Sequence, residues 1–233
     1  KTFSYVNTRM HGGITHNGLV YASWFDDNGV RYAVPVNSKS PAYTFSGSFT
    51  YRRPLNKKKT LTLSINPVAG YSSSSSYQAK TRLPGLDKEN FDYGKTMDWF
   101  WGDADGSTFY SGESGFAQSI TNIWDYSLTV DLQYEIGNFS LMAGGCANNI
   151  ISRYSLDSAA NNDIWTFITY GELLWYNEKG WEVMTDYVFN FYRGLSKGFG
   201  APEYIWNARL SKELKSFTVN LSLMDILNQR RSY

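Results

Sequence analysis

Three things are scarce in this sequence: cysteine, net charge and uninterrupted apolar runs. The single cysteine, Cys146, excludes an internal disulfide and any metal site built on several thiolates. A formal net charge of +1, with Lys57–Lys59 as the one dense basic run, gives no electrostatic basis for binding nucleic acid. No segment approaches the ~18 consecutive apolar residues of a transmembrane helix.

The sequence also lacks the side-chain combinations that enzymes use. Its two histidines, His11 and His16, are five residues apart, which would place them on opposite faces of one strand and keep them from sharing a metal ion. Neither lies beside a glycine-flanked serine of the kind found at nucleophilic turns. We therefore expect no enzymatic activity and no catalytic residues.

Aromatic residues, in contrast, are abundant, with 18 Tyr, 14 Phe and 8 Trp. The segment Ile120–Ile136 shows how they are arranged, because apolar and polar side chains alternate along it. Its apolar members from residue 124 onward are Trp124, Tyr126, Leu128, Val130, Leu132, Tyr134 and Ile136. Since successive side chains of a strand point to opposite faces, the segment is apolar on one side and polar on the other. The alternation is longer than the five or six residues of an ordinary strand and suits one that crosses a bilayer.

The same pattern predicts about ten strands along the chain. They are Ile14–Phe25, Val30–Val36, Tyr43–Arg53, Thr60–Tyr77, Ile120–Ile136, Phe139–Tyr154, Ile164–Tyr176, Trp181–Tyr192, Tyr204–Leu214 and Phe217–Met224. Short links at 26–29, 54–59, 137–138, 177–180 and 215–216 alternate with mostly longer ones at 38–41, 78–119, 155–163, 193–203 and from 225 onward. Short turns at one end and long loops at the other are typical of outer-membrane barrels. The sequence thus predicts an all-β, antiparallel, up-and-down transmembrane β-barrel.

Several stretches resemble the carboxy-terminal half of TonB-dependent outer-membrane receptors of the Bacteroidetes, in the outer-membrane protein β-barrel family. The stretches are 29–37 with 45–54, and 206–214 with 219–228. In the last of these, Trp206–Lys212 matches a strand of the family that precedes a short turn, and Asp225–Gln229 matches the "D-I-L-N-Q" end of the strand that follows.

The resemblance implies a barrel of about 22 strands around an amino-terminal plug, energised through TonB. With only about ten strands, residues 1–233 are expected to form a single partial barrel domain that lacks the plug and the last strands. An open sheet in lipid would leave two unpaired edges. A self-closing barrel of ten strands is the alternative.

Residues 78–119 form the longest connection, and we expect it to be extracellular and to carry the binding function. Aromatic faces that stack on a ligand, with carboxylates as acceptors nearby, would suit a sugar, a peptide or a metal chelate. The candidate substrate-binding residues are Trp99, Phe100, Trp101, Asp103, Asp105 and Tyr110. The alternative is that the aromatic residues pack the loop against itself or the barrel rim.

The run Asp103–Ser107 raises the question of calcium within residues 98–113. It does not match an EF-hand, because a sixth-position Gly106 would put Trp101 at position one. No cofactor is expected; a calcium site of another kind and a solvated acidic turn remain as readings of this run.

Charged residues on the predicted polar face either line a solute path, pair across strands or contact a plug, and the resemblance favours the plug. They are Asp125, Asp131, Glu135, Glu182, Asp186, Arg52 and Arg209.

The expected function is uptake of a nutrient across the bacterial outer membrane, without chemistry on the solute. The expected partners are outer-membrane lipid, the plug and remaining strands of the same barrel, TonB and a surface lipoprotein. Two alternatives remain: a structural or accessory barrel of an outer-membrane assembly, and a soluble glycan-binding β-sandwich. Long apolar faces count against the sandwich, since exposed apolar surface causes aggregation.

Overall fold

The computed structural model describes residues 4–79, 116–196 and 200–228, and three quarters of this part of the chain, 75%, is β-strand. The strands are β1 (Tyr5–Thr15), β2 (Leu19–Phe25), β3 (Arg31–Asn37), β4 (Ala42–Pro54), β5 (Leu61–Ala79), β6 (Phe116–Ile136), β7 (Phe139–Tyr154), β8 (Asn162–Tyr176), β9 (Trp181–Arg193), β10 (Glu203–Glu213) and β11 (Thr218–Leu223). One turn of 3-10 helix, Ser158–Ala160, lies between β7 and β8. No helix among the described residues is long and apolar enough to cross a membrane.

Nine of the strands form one antiparallel meander in the order β1-β4-β5-β6-β7-β8-β9-β10-β11. The remaining two, β2 and β3, form a hairpin in the connection from β1 to β4. The hairpin joins the sheet through a short parallel pairing, in which Ala22 and Ser23 of β2 lie opposite Tyr77 and Gln78 of β5. Within the described residues, the path of paired strands begins at β1 and ends at β11.

The register gives the sheet two chemically different faces. On β6, Leu132 lies opposite Leu63 of β5 and Ala143 of β7, whereas the next residue, Asp131, lies opposite Ser64 and Gly144. We call the side that carries Leu132 the apolar face and the side that carries Asp131 the polar face. The predicted alternation along β4, β6, β9 and β11 is confirmed by this pairing.

The connections differ in length between the two ends of the strands. Short links follow β4, β6, β8 and β10 at one end, which we call the short-turn edge. Glycines with positive φ permit two of these turns, Gly137 (φ 55°) and Gly180 (φ 77°). At the opposite end of the strands, which we call the long-connection edge, lie residues 16–41 with the hairpin and residues 155–161. There β5 ends and β6 begins, with 36 residues between them in the sequence, and β9 ends and β10 begins, with nine residues between them. The predicted separation of short turns from long loops is therefore confirmed for the meander.

Two predictions for the amino-terminal quarter are wrong. The expected strand Ile14–Phe25 is divided between β1 and β2, because the chain turns through His16, Asn17 (φ 52°) and Gly18. In addition, β2 and β3 are not strands of the meander. Their link at 26–29 lies at the tip of a hairpin at the long-connection edge, so it does not belong with the short turns.

Candidate functional site

The residues predicted to bind substrate lie outside the described part of the chain. These are Trp99, Phe100, Trp101, Asp103, Asp105 and Tyr110, together with the calcium candidate at 98–113. The structure does show where their segment starts and ends. Ala79, the last residue of β5, lies directly opposite Phe116, the first residue of β6. β5 therefore ends and β6 begins side by side at the long-connection edge.

Beside these two strand ends, the β2–β3 hairpin packs on the apolar face and forms a small core with β5 and β6. The members of the core are Ala22, Trp24, Val34, Val36, Tyr77 and Phe116. Trp24 is 1% exposed, stacks on Tyr32 with ring centroids 5.7 Å apart, and meets the edge of Phe116 at 6.2 Å. Each large aromatic buried in this way contributes apolar area plus geometry-specific ring contacts. The hairpin thus contacts both strands that lead to residues 80–115.

Hydrogen bonds between residues far apart in the sequence hold the end of the hairpin to the sheet. The hydroxyls of Ser38 and Ser75 are 2.6 Å apart, and the backbone N–H of Lys39 donates to the hydroxyl of Tyr77 at 3.0 Å. On β6, the Gln118 side-chain amide donates to Ser40 Oγ at 2.7 Å. Ser75 and Tyr77 are two residues apart on β5, so both side chains point to the apolar face, where the hairpin covers them.

The tip of the hairpin is organised by a buried carboxylate. Asp26 is 4% exposed, and its Oδ1 accepts a hydrogen bond from the backbone N–H of Val30 at 2.8 Å. The hydroxyl of Tyr32 donates to Oδ2 at 3.3 Å. A buried carboxylate without donors would be costly, so these bonds specify the turn. Gly29, with φ 78°, supplies the left-handed residue that the turn requires.

All seven charged residues predicted for the polar face lie on it, as their register positions show. Several of them pair across strands. Arg209 donates to Glu182 at 2.6 Å and Arg52 donates to the side chain of Gln133 at 2.9 Å. The Asn207 amide donates to Asp186 at 2.8 Å. Cross-strand pairing, one of the alternatives left open by the sequence, therefore accounts for part of this set.

Asp131 has a partner that the sequence did not suggest. The hydroxyl of Tyr170 on β8 donates to Asp131 on β6, across the intervening strand β7. Tyr170, Gly144 and Asp131 occupy one row of the register, and the Tyr170 ring takes up the space that a Cβ at position 144 would need. The glycine is what allows the tyrosine to lie flat and reach the carboxylate.

Charge is unevenly divided over the polar face. Strands β6 to β10 carry eight acidic residues there and one basic residue, Arg209; the acidic residues are Asp125, Asp131, Glu135, Glu172, Glu182, Asp186, Glu203 and Glu213. The polar faces of β1, β4 and β5 carry no acidic residue. Their basic residues are Arg9 and Arg52, and His11 lies beside Arg9 on β1. Arg9 and His11 were not expected to matter, because the sequence analysis did not recognise β1 as a strand.

Comparison with known proteins gives no assignment: no protein-family model, no curated protein and no solved structure matches this chain significantly.

Proposed function

We propose that this sheet is part of the wall of a transmembrane β-barrel in the bacterial outer membrane, and that the barrel takes up a nutrient as a TonB-dependent receptor. The observation that carries the first half is the exposed apolar face. On β6 alone, Tyr126, Leu128 and Leu132 are 46%, 45% and 43% exposed. In water such a surface would cause aggregation, whereas in a bilayer it contacts lipid chains.

The aromatic residues on the apolar face have the spacing that a membrane requires. Trp124 and Tyr134 are ten residues apart on β6, and Trp165 and Trp175 are ten residues apart on β8, each pair on the apolar face. Ten residues at ~3.3 Å each span about 33 Å along a strand. A tilt of about 40° reduces this to ~25 Å, the height of the apolar band in outer-membrane barrels, which is flanked by aromatic residues.

A glycan-binding β-sandwich accounts less well for the same face. In a sandwich the apolar face packs against a second sheet, but the described residues form one connected sheet. Among the residues that the structure describes, only the β2–β3 hairpin covers the apolar face, and it does so at one end of β5 and β6. A barrel leaves this face to lipid and requires that β1 and β11 be paired with further strands, since open edges are not tolerated in the hydrocarbon layer.

The transport half of the proposal depends on the family resemblance and on the long-connection edge. Long segments at one end of a barrel are typically extracellular and capture ligands. Residues 78–119, with the aromatic and acidic residues named above, remain the expected place of capture. TonB, a plug and a surface lipoprotein remain the expected partners.

A pair of neighbouring cysteines tests the membrane assignment. In a Cys146→Ser background, Leu128→Cys on the apolar face and Ser127→Cys on the polar face would each carry a fluorophore in reconstituted vesicles. We expect lipid-borne nitroxides to quench the label at position 128 and to spare the label at position 127. Equal quenching of both labels by a water-soluble quencher would contradict the proposal.

Transport is tested separately in cells that make the protein. Deleting the gene should abolish growth on one class of nutrient at limiting concentration and leave resistance to detergents unchanged. Loss of detergent resistance with growth retained on every nutrient would instead indicate a structural barrel.

A further inference from the structure

We propose that the polar face of β1 and β4 binds the anionic group of a small ligand, a carboxylate or a phosphate. Arg9 and His11 of β1 and Ser46 and Ser48 of β4 line an open cavity of about 660 Å³, whose lining is completed by Thr8, Met10, Gly47 and Val68. The register places Arg9 opposite Ser48 and His11 opposite Ser46. Because alternate residues of a strand share a face, these four side chains are immediate neighbours.

Arg9 differs from the other arginines of the polar face in how its guanidinium is used. Arg52 donates to Gln133 at 2.9 Å and Arg209 donates to Glu182 at 2.6 Å. No side chain or carbonyl among the described residues accepts a hydrogen bond from Arg9. A guanidinium presents a planar fork of donors that matches a carboxylate or a phosphate. Arg9 therefore has its donors available for a ligand.

The neighbours of Arg9 are hydrogen-bond donors and carry no negative charge. The hydroxyls of Ser46 and Ser48 and the ring N–H of His11 can each donate to an oxyanion. Val68 of β5, on the same face, gives the cavity an apolar floor. An anion is consequently met by a cation and several donors without an acidic residue on the same strands.

The nearest acidic group is Asp125 of β6, which limits the site on one side. Its carboxylate leans over Gly70 of β5, which lies opposite Ser46, so it is one strand spacing, about 5 Å, from Ser46 and two, about 10 Å, from Arg9 and His11 on β1. Screening at physiological salt is substantial at that distance. Beyond Asp125 the polar face becomes acidic, so an anion is favoured at β1 and β4 and disfavoured over β6 to β10.

The proposal does not depend on transport, and binding by the detergent-solubilised protein tests it directly. Equilibrium dialysis would measure the binding of radiolabelled inorganic phosphate, with citrate as a competing polycarboxylate. We expect saturable binding that Arg9→Gln weakens roughly tenfold or more, because hydrogen bonds to charged groups are the strong ones. The matched control is Arg209→Gln, which removes an arginine from the same face but far from the cavity and should leave the affinity unchanged.

Two further variants keep the result interpretable. Arg9→Lys retains the charge without the fork and should recover part of the affinity, and Ser48→Ala, a small change on β4, should weaken binding a few-fold. Displacement by citrate at lower concentration than by phosphate would indicate a carboxylate ligand, and the reverse order a phosphate. The proposal is overturned if neither anion binds saturably, or if Arg9→Gln and Arg209→Gln have equal effects.

Discussion

Within the described residues, the apolar face of the sheet is covered at one end and largely exposed along the rest of its length. At the long-connection edge, the β2–β3 hairpin buries Tyr77 and Phe116 to 0% and 4% exposure. Further along β6, Leu128 and Leu132 on the same face remain 45% and 43% exposed. The two regions share strands, face and alternation, so the difference lies in what covers them.

The residue types along β5 change where the exposed part of the apolar face meets the part that the hairpin covers. From Leu61 to Tyr71 its apolar-face residues are large or apolar, whereas Ser73 and Ser75 follow and are buried beneath the hairpin. Serine at a buried position is stable only with hydrogen-bond partners, and the hydroxyl of Ser38 provides one for Ser75. The sequence therefore fits the first region for hydrogen-bonded contact with its own chain and leaves the second apolar and exposed.

The largest effect should come from removing the aromatic anchor of the covered region. Trp24→Ala deletes a side chain that is 1% exposed, and such truncations cost about 3–5 kcal/mol. Because the hairpin contacts only one edge of the sheet, we expect the loss as local opening, with faster amide hydrogen exchange in residues 73–79 and 116–120. Tyr21→Ala is the control, since Tyr21 lies on the same strand but is 62% exposed. Similar exchange in the two variants would show that Trp24 does not anchor the hairpin.

The next largest effect concerns the bare region. Val130→Arg puts a charge near the middle of the exposed apolar face. If that face contacts lipid, as proposed, the arginine should cost about 2–4 kcal/mol. Thr129→Arg, one residue away on the polar face, should cost much less. Denaturant unfolding in lipid vesicles measures both. If Val130→Arg costs under ~0.5 kcal/mol, as at an ordinary water-exposed position, the face is not in contact with lipid.

Local alternation was sufficient to predict β4 to β11, because each of these strands has a side that is apolar over most of its length. It failed on β1, whose apolar face includes Thr8 and Gly12 and so interrupts the period of two. The turn at Asn17 and Gly18 was not predicted, because the apolar residues Ile14 and Leu19 on either side of it were assigned to one strand.

The position of the hairpin was beyond a local reading of the sequence. Strands β2 and β3, joined by a tight turn, resemble a hairpin of the meander in sequence. What sets them apart is contact with residues far along the chain: Ala22 lies opposite Tyr77, and Ser38 and Ser40, just after β3, bond to Ser75 and Gln118. The Arg9 cavity was missed because it requires the register of β1 against β4. Long-range pairing, and not strand propensity, determines both features.

A smaller effect is expected on the polar face, where the protein's own side chains supply the contacts. Tyr170→Phe keeps the ring over Gly144 and removes the hydroxyl that donates to Asp131. Because the bond is only partly buried, its loss should cost about 1 kcal/mol, below the ~1.5–3 kcal/mol of fully formed bonds to charged groups. The midpoint of urea unfolding in detergent measures it, with Tyr192→Phe on the same face as control. A loss no larger than that of Tyr192→Phe would mean that the bond adds nothing to stability.

The smallest effect should come from the ion pair between Arg209 and Glu182, whose side chains are 45% and 37% exposed. Exposed pairs contribute about 0.2–1 kcal/mol and are screened by salt, so Arg209→Gln and Glu182→Gln should each have a minor effect that disappears in high salt. Urea unfolding at low and high salt measures this. A cost above ~2 kcal/mol that persists in high salt would instead mean that the pair is shielded from water. The polar face would then be covered in the assembled protein, as the apolar face is beneath the hairpin, and water would not fill the space beside β9 and β10.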